Sequence, residues 1–261
     1  PLRRLYGDHF DIAPLSVMVD PRRAARILGL DGFGLSRAFS SKVTYVYRKQ
    51  LEEAQVLVIN KIDLLDDVQR RTLRRALEAE FPAATVIEVT ARDGDGLDVW
   101  FDHLDQHSLG HHPVLDIDYT IYAEGEAKLG WLNATLTLDS STELDGNALV
   151  ERVARGLLDR LRAIGAEVAH LKMTLAPSIG PGDLALVNLV GSAWVPEVAE
   201  RLGAPVDAGQ LVVNLRAEAD PDALARVLDA EIDDRPELRI DHVERFAPAA
   251  PNPTHRMTAA S

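Results

Sequence analysis

Three short apolar runs, at residues 15–19, 56–59 and 86–89, are separated by segments whose apolar residues recur at helical spacing, and this confines the first part of the 261-residue chain to one kind of architecture. Runs of four or five residues, rich in Val and Ile with no polar face, suit strands buried on both sides of a sheet. After the first run, Asp20-Pro21 can cap and open a helix with apolar positions Ala24, Ile27 and Leu28. Residues 29–41 read as a loop. Val43, Val46, Tyr47, Leu51 and Ala54 then mark a second helix, and Val68, Leu73, Ala76 and Leu77 a third that closes near Phe81-Pro82. Leu97, Trp100, Phe101 and Leu104 mark a fourth. Strands alternating with helices predict an α/β domain with a parallel sheet and helical crossovers.

In open α/β sheets, ligands collect at the carboxyl ends of the strands. Directly after the second run stands Asn60-Lys61-Ile62-Asp63. An Asp carboxylate there can accept from guanine N1–H and the 2-amino group together, which adenine cannot offer. Asn60 can bridge the base edge to neighbouring loops, and the Lys61 stem can cover the ring face. The same tetrapeptide also suits a plain strand end, with Asn60 capping and Asp63 starting the next helix. The third run ends in Thr90-Ala91-Arg92-Asp93-Gly94-Asp95-Gly96. A small residue in this loop would let a backbone N–H approach guanine O6, whereas an ordinary strand-to-helix turn would need only its glycines.

The order Asn-Lys-x-Asp, helix, strand, Thr-Ala-Arg resembles the last two nucleotide-binding motifs of GTPases. Leu5-Tyr6-Gly7-Asp8-His9-Phe10, Pro14-Leu15-Ser16-Val17-Met18-Val19-Asp20, Phe39-Ser40-Ser41-Lys42 and Tyr47-Arg48-Lys49-Gln50-Leu51-Glu52-Glu53-Ala54 narrow the resemblance to the second half of a CobW-like GTPase. That family comprises P-loop proteins that act as metal chaperones or metallocentre and cobalamin assembly factors. The resemblance covers residues 1–107 well and the rest weakly. It implies GTP with Mg²⁺ as cofactor, Zn²⁺ or Co²⁺ as a handled metal, and a client metalloprotein or metal-handling partner. It also implies that Asn60, Lys61, Asp63, Thr90, Ala91 and Arg92 hold the base.

No Gly-x-x-x-x-Gly-Lys-Ser/Thr phosphate loop and no Cys occurs in these residues. The family's phosphate loop, Mg²⁺-holding acid and Cys-x-Cys-Cys metal motif would all precede Pro1. The chain therefore reads as the carboxyl-terminal portion of a longer protein, lacking the amino-terminal half of its GTPase domain. Alone it is expected to hydrolyse no GTP, and no catalytic residue is assigned. The competing reading is a non-enzymatic interaction module with a degenerate nucleotide-binding half.

Gly110-His111-His112-Pro113 marks a boundary between a GTPase-like part, 1–110, and an α+β domain, 114–247. The charge balance shifts there as well. The first 110 residues carry 15 Lys and Arg against 17 Asp and Glu, the remainder 13 against 24, within a net −13. An acidic second part argues against nucleic acid and anionic membranes and leaves cations or basic protein surfaces as partners; a homodimer is a separate expectation that the charge does not address. No apolar stretch approaches the ~20 residues of a bilayer span, and no secretory signal is evident, so a soluble cytoplasmic protein is expected.

In the second part, residues 116–124 and 129–138 alternate like a hairpin turning near Gly125, and 144–164 form a long amphipathic helix. Strands are expected at 168–175, 184–190, 211–215 and 238–245, with helices at 195–202 and 222–232. The order is close to a split βαβ, ferredoxin-like sandwich. Residues 248–261 read as a disordered tail. Four of the eight histidines fall within ten residues: His103, His107, His111 and His112. His103 and His107 at i, i+4 could grip Zn²⁺ or Co²⁺, with Asp102, Asp105 and Asp116 assisting. Such clusters near a linker are more commonly solvated helix ends that complement the helix dipole. His170, Lys172 and Thr174 fall on the wet face of a half-buried strand, and Trp131 and Trp194 read as core or interface anchors.

Overall fold

The computed structural model describes residues 9–33, 39–108, 117–179, 182–190 and 196–249. These fall into two compact units that divide between Tyr122 and Ala123. The Leu5-Tyr6-Gly7-Asp8 motif, the Gly110-Pro113 boundary, His111, His112, Asp116, Trp194 and nearly all of the carboxyl-terminal tail lie outside the described residues.

The first unit holds three parallel strands in the order β1 (Ser16–Val19), β2 (Val56–Ile59), β3 (Thr85–Glu88). Helices α1 (Pro21–Ile27) and α2 (Ser41–Glu53) link β1 to β2, α3 (Asp67–Glu80) links β2 to β3, and α4 (Leu97–Gln106) follows. Central β2 is buried at all four residues because strands flank it and side chains cover both faces. Leu57 and Ile59 join Val19, Leu51, Leu73 and Leu77 in one core, while Val56 and Val58 meet Ile87, Val89, Leu97 and Trp100 on the other side. Caps start the helices where the sequence supplies acceptors. Asp20 Oδ1 accepts from Arg23 N at 3.0 Å, and Asp66 with Gln69 forms a reciprocal capping box on α3.

In the second unit, the tail of α5 (Tyr119–Ala127) leads into β4 (Leu129–Leu144), α6 (Gly146–Ala163), β5 (Glu167–Pro177), β6 (Ala185–Leu189), β7 (Glu197–Glu200), β8 (Val206–Glu218), α7 (Pro221–Ile232) and β9 (Leu238–Phe246). The antiparallel sheet runs β7-β6-β5-β8-β4-β9. Strand β8 lies between β4 and β5, and β4 between β8 and β9, so two βαβ units interleave and the β6–β7 pair widens the sheet beyond β5. One face packs against α6 and α7, burying Leu132, Leu136, Leu157, Leu161, Leu171, Val213 and Leu228. Beneath Gly156 of α6, the buried Glu231 carboxylate of α7 pairs with Arg160 at 3.0 Å and Arg235 at 2.8 Å. On the open face His170 and Lys172 are exposed, and Trp131 is half-buried between the Arg216 guanidinium, 4.6 Å away, and the Phe246 ring at 5.7 Å.

Two expectations are corrected. Residues 119–127 form α5, not the first strand of a hairpin. Asp118 Oδ1 accepts from Thr120 N and Ile121 N to start the helix, and both edges of β4 are already taken by β8 and β9. Residues 197–200, expected as helix, form β7 because β6 offers a free edge, and tertiary pairing overrides a short stretch's helix propensity.

Candidate functional site

The carboxyl ends of the three parallel strands bring the expected base-reading residues together. Asn60 follows β2, and its backbone N–H donates to the Val19 carbonyl at 3.0 Å, which continues the ladder one residue past the strand. Its side-chain Oδ1 accepts from the backbone N–H of Lys61 at 2.8 Å and of Ala91 at 3.0 Å. A single oxygen thus joins the 60–63 loop to the 90–92 loop. The Ala91 N–H expected to reach guanine O6 is spent on this bridge, so O6 would have to share or displace Asn60 Oδ1.

Lys61 has φ 60° and ψ 39°, the left-handed region, and among the described residues it is the only non-glycine with positive φ. For a side chain with a Cβ this costs about 1–2 kcal/mol, a strain that native contacts must hold in place. It turns the chain sharply into the single 3₁₀ turn Ile62–Leu64, which carries Asp63. The Lys61 ammonium reaches Asp20 Oδ2 at 3.7 Å, at the end of β1, instead of standing free to cover a ring. Asp63 Oδ2 accepts from Arg92 Nη2 at 3.3 Å across the two loops, with side-chain exposures of 31 % and 55 %.

Thr90 is buried. Its N–H donates to the Asp95 carbonyl at 2.9 Å, and its carbonyl accepts from Asp93 and Gly94, which closes the 90–96 loop into a tight turn. Gly96, φ 75°, starts α4, and a Cβ there would overlap the Glu88 carbonyl oxygen. Glu88 is itself gripped by α3: Arg70 Nε donates to Oε2 at 2.7 Å, and Arg74 stands 3.6 Å from Oε1 while also donating to the Val86 carbonyl at 3.0 Å. The carboxylate in turn holds the Arg70 guanidinium above its usual pKa, chiefly through that hydrogen bond. Asp20, Glu88 and its two arginines are site-shaping residues that sequence reasoning passed over. Asp20 reads as a helix cap, and nothing local marks Glu88 as more than a strand end.

The histidine pair is placed differently from expectation. Helix α4 ends at Gln106, so His107 is extended beyond it and does not share a helical face with His103. The two rings stack with centroids 4.1 Å apart at 22°, and His107 Nδ1 lies 2.9 Å from the His103 carbonyl oxygen. Near-parallel stacked imidazoles do not converge their lone pairs on one ion. Burial, and then the neighbouring His107, holds His103 below the usual imidazole range. Among the described residues, no three or more His, Asp or Glu side chains are grouped to hold a metal, and no helix is long and apolar enough to cross a membrane.

The chain matches no protein-family model and no curated protein. Among solved structures it is similar to the Zn(II)-bound YjiA GTPase from E. coli, at 14 % identity and a TM-score of 0.26, over 88 % of this chain and 66 % of that one. It is also similar to a Zn(II)-bound triple mutant of YjiA, at 15 % identity and a TM-score of 0.28, over 88 % and 65 %. The chain thus spans just under two thirds of the length of those proteins, and superposition at that level fixes neither fold nor activity.

Proposed function

We propose that residues 9–108 carry the base-reading half of a GTP-binding domain of the metal-handling, CobW-like type, followed by an acidic α+β domain. The observation that supports this most is the double acceptance by Asn60 Oδ1, which sets the Asn-Lys-x-Asp and Thr-Ala-Arg loops side by side at the strand ends. In this reading Asp63 accepts the N1–H and 2-amino donors of guanine, and Asn60 with Ala91 frames O6. Lys61 covers the ring once released from Asp20. Carboxylate acceptors on Asp63 and the Ala91 N–H donor together complement the guanine edge. The sequence carries no phosphate-loop motif for phosphate and Mg²⁺, so this reading gives the chain's own residues the selection of the base. For Zn²⁺ or Co²⁺ the described residues offer only the stacked His103 and His107.

Base selection is testable on the chain as it stands. Amide ¹H–¹⁵N spectra titrated with millimolar GMP should show shifts at Asn60, Lys61, Ala91 and Arg92, and AMP should leave them in place. Asp63→Asn replaces a double acceptor by a group that turns a donor toward one guanine donor. Preference should then move from GMP toward XMP, whose 2-oxo group accepts, by about a hundredfold. Equal responses to GMP and AMP, or an unaltered preference in Asp63→Asn, would refute the assignment.

A further inference from the structure

We propose that Arg92 occupies the base-reading carboxylate when no base is bound, so that guanine binds by displacing a guanidinium of the protein's own. The inference rests on the base-reading assignment of Asp63. Its basis is chemical. The edge of guanine that a carboxylate reads, N1–H and the 2-amino group joined through C2, is itself a guanidine fragment with two coplanar N–H donors. An arginine guanidinium presents donors in the same planar fork. In the structure one arm of that guanidinium, Nη2, already donates to Asp63 Oδ2 at 3.3 Å. The bridge from Ala91 N–H to Asn60 Oδ1 fixes the residue before Arg92 against the first loop, so the guanidinium is tethered within reach of the carboxylate it covers.

The tether makes the competition intramolecular, and the exposure of both partners keeps it weak. Solvated ion pairs of this kind shift an equilibrium by about fivefold at most. A base making several contacts can overcome that, whereas a ligand lacking the paired donors cannot. Arg92 therefore acts as a filter on occupancy: adenine offers Asp63 nothing better than the arginine already there.

The test uses the full chain and guanosine, a neutral nucleoside, so that removing a positive charge does not alter attraction to a phosphate. Affinities are read from amide shifts in 50 mM salt. Arg92→Ala should bind guanosine about two- to fivefold more tightly than the parent. The gain should shrink toward onefold in 0.5 M salt, where exposed pairs are screened, and Arg92→Lys should return most of it. If guanosine is preferred over adenosine but Arg92→Ala binds it equally or more weakly, the displacement idea fails while Asp63 remains the base reader. If the parent does not prefer guanosine over adenosine, the base-reading assignment falls and the displacement falls with it.

Discussion

Replacing Gly96 by Ala should damage the first unit far more than the same change at Gly94, two residues earlier. Both glycines have positive φ, 75° and 88°, so both substitutions force an alanine into the left-handed region at about 1–2 kcal/mol. They differ in surroundings. A Cβ at Gly94 meets nothing within 4 Å, whereas one at Gly96 overlaps the Glu88 carbonyl oxygen. That oxygen belongs to strand backbone whose side chain Arg70 and Arg74 hold from α3. The strand is therefore poorly placed to retreat, and the turn must deform. Overpacking against structure that cannot relax adds about 1–3 kcal/mol, which brings Gly96→Ala to about 2–5 kcal/mol and leaves Gly94→Ala at about 1–2. The assay is urea unfolding followed by Trp100, whose indole N–H donates to Ser16 Oγ at 3.1 Å within the same unit. Trp131→Phe and Trp194→Phe in the background remove the other two tryptophans. If the two alanine variants differed by less than about 0.5 kcal/mol, the close approach of Gly96 to Glu88 would not be a constraint on the loop.

Three further outcomes are expected. Asp66→Ala removes an acceptor serving two backbone donors, Val68 N and Gln69 N, both at 2.8 Å, and should cost about 1 kcal/mol in urea unfolding, with Asp67→Ala near zero as control. Asp222, held below its usual range by the hydrogen bond from Arg245 and then by that residue's charge, contributes stability above the ordinary carboxylate range that is lost as pH falls through its depressed pKa. The melting-temperature gap between the parent and Arg245→Gln should accordingly be flat near neutral pH and close in acid; a gap that widened in acid would contradict the pairing. Metal binding at the histidines would require the stacked His103 and His107 rings to part; in that case Co²⁺ followed by visible absorption should bind less tightly to His107→Ala than to His9→Ala or His242→Ala, and binding should weaken in acid as protons compete for the imidazole nitrogens. Identical spectra and affinities across the three would leave the cluster a helix end.

Legibility from sequence followed the kind of information each element needs. Strand β2 and helices α2 and α3 could be read because burial of Val56 to Ile59, Leu51, Leu73 and Leu77 is written in local periodicity. The segment at Tyr119 could not, since four alternating residues satisfy helix and strand alike, and the arbiter is whether β4 has an edge left. The expected 211–215 falls short of β8 because Gly209 and Gln210 break the apolar pattern ahead of it. Gly209 is small for a tertiary reason, the close passage of the Ala176 carbonyl on β5. At the site, Asn60, Asp63 and Ala91 were recognisable as types in order. The pairing of Arg92 with Asp63 and of Lys61 with Asp20 depends on distances across loops, which no spacing encodes.

The interleaved topology of the second unit has a mechanical consequence. Its first and last strands, β4 and β9, are antiparallel neighbours, and Trp131 near the start of one faces Phe246 at the end of the other. The chain therefore enters and leaves the sheet at the same corner. Tension applied through the flanking segments would peel this pair open one hydrogen bond after another, beginning with the stacked rings, instead of loading all the bonds at once in shear. Such a unit should yield at low force and part first from β9, while the inner pairs β4–β8 and β5–β8 stay shut until the zipper has run its length.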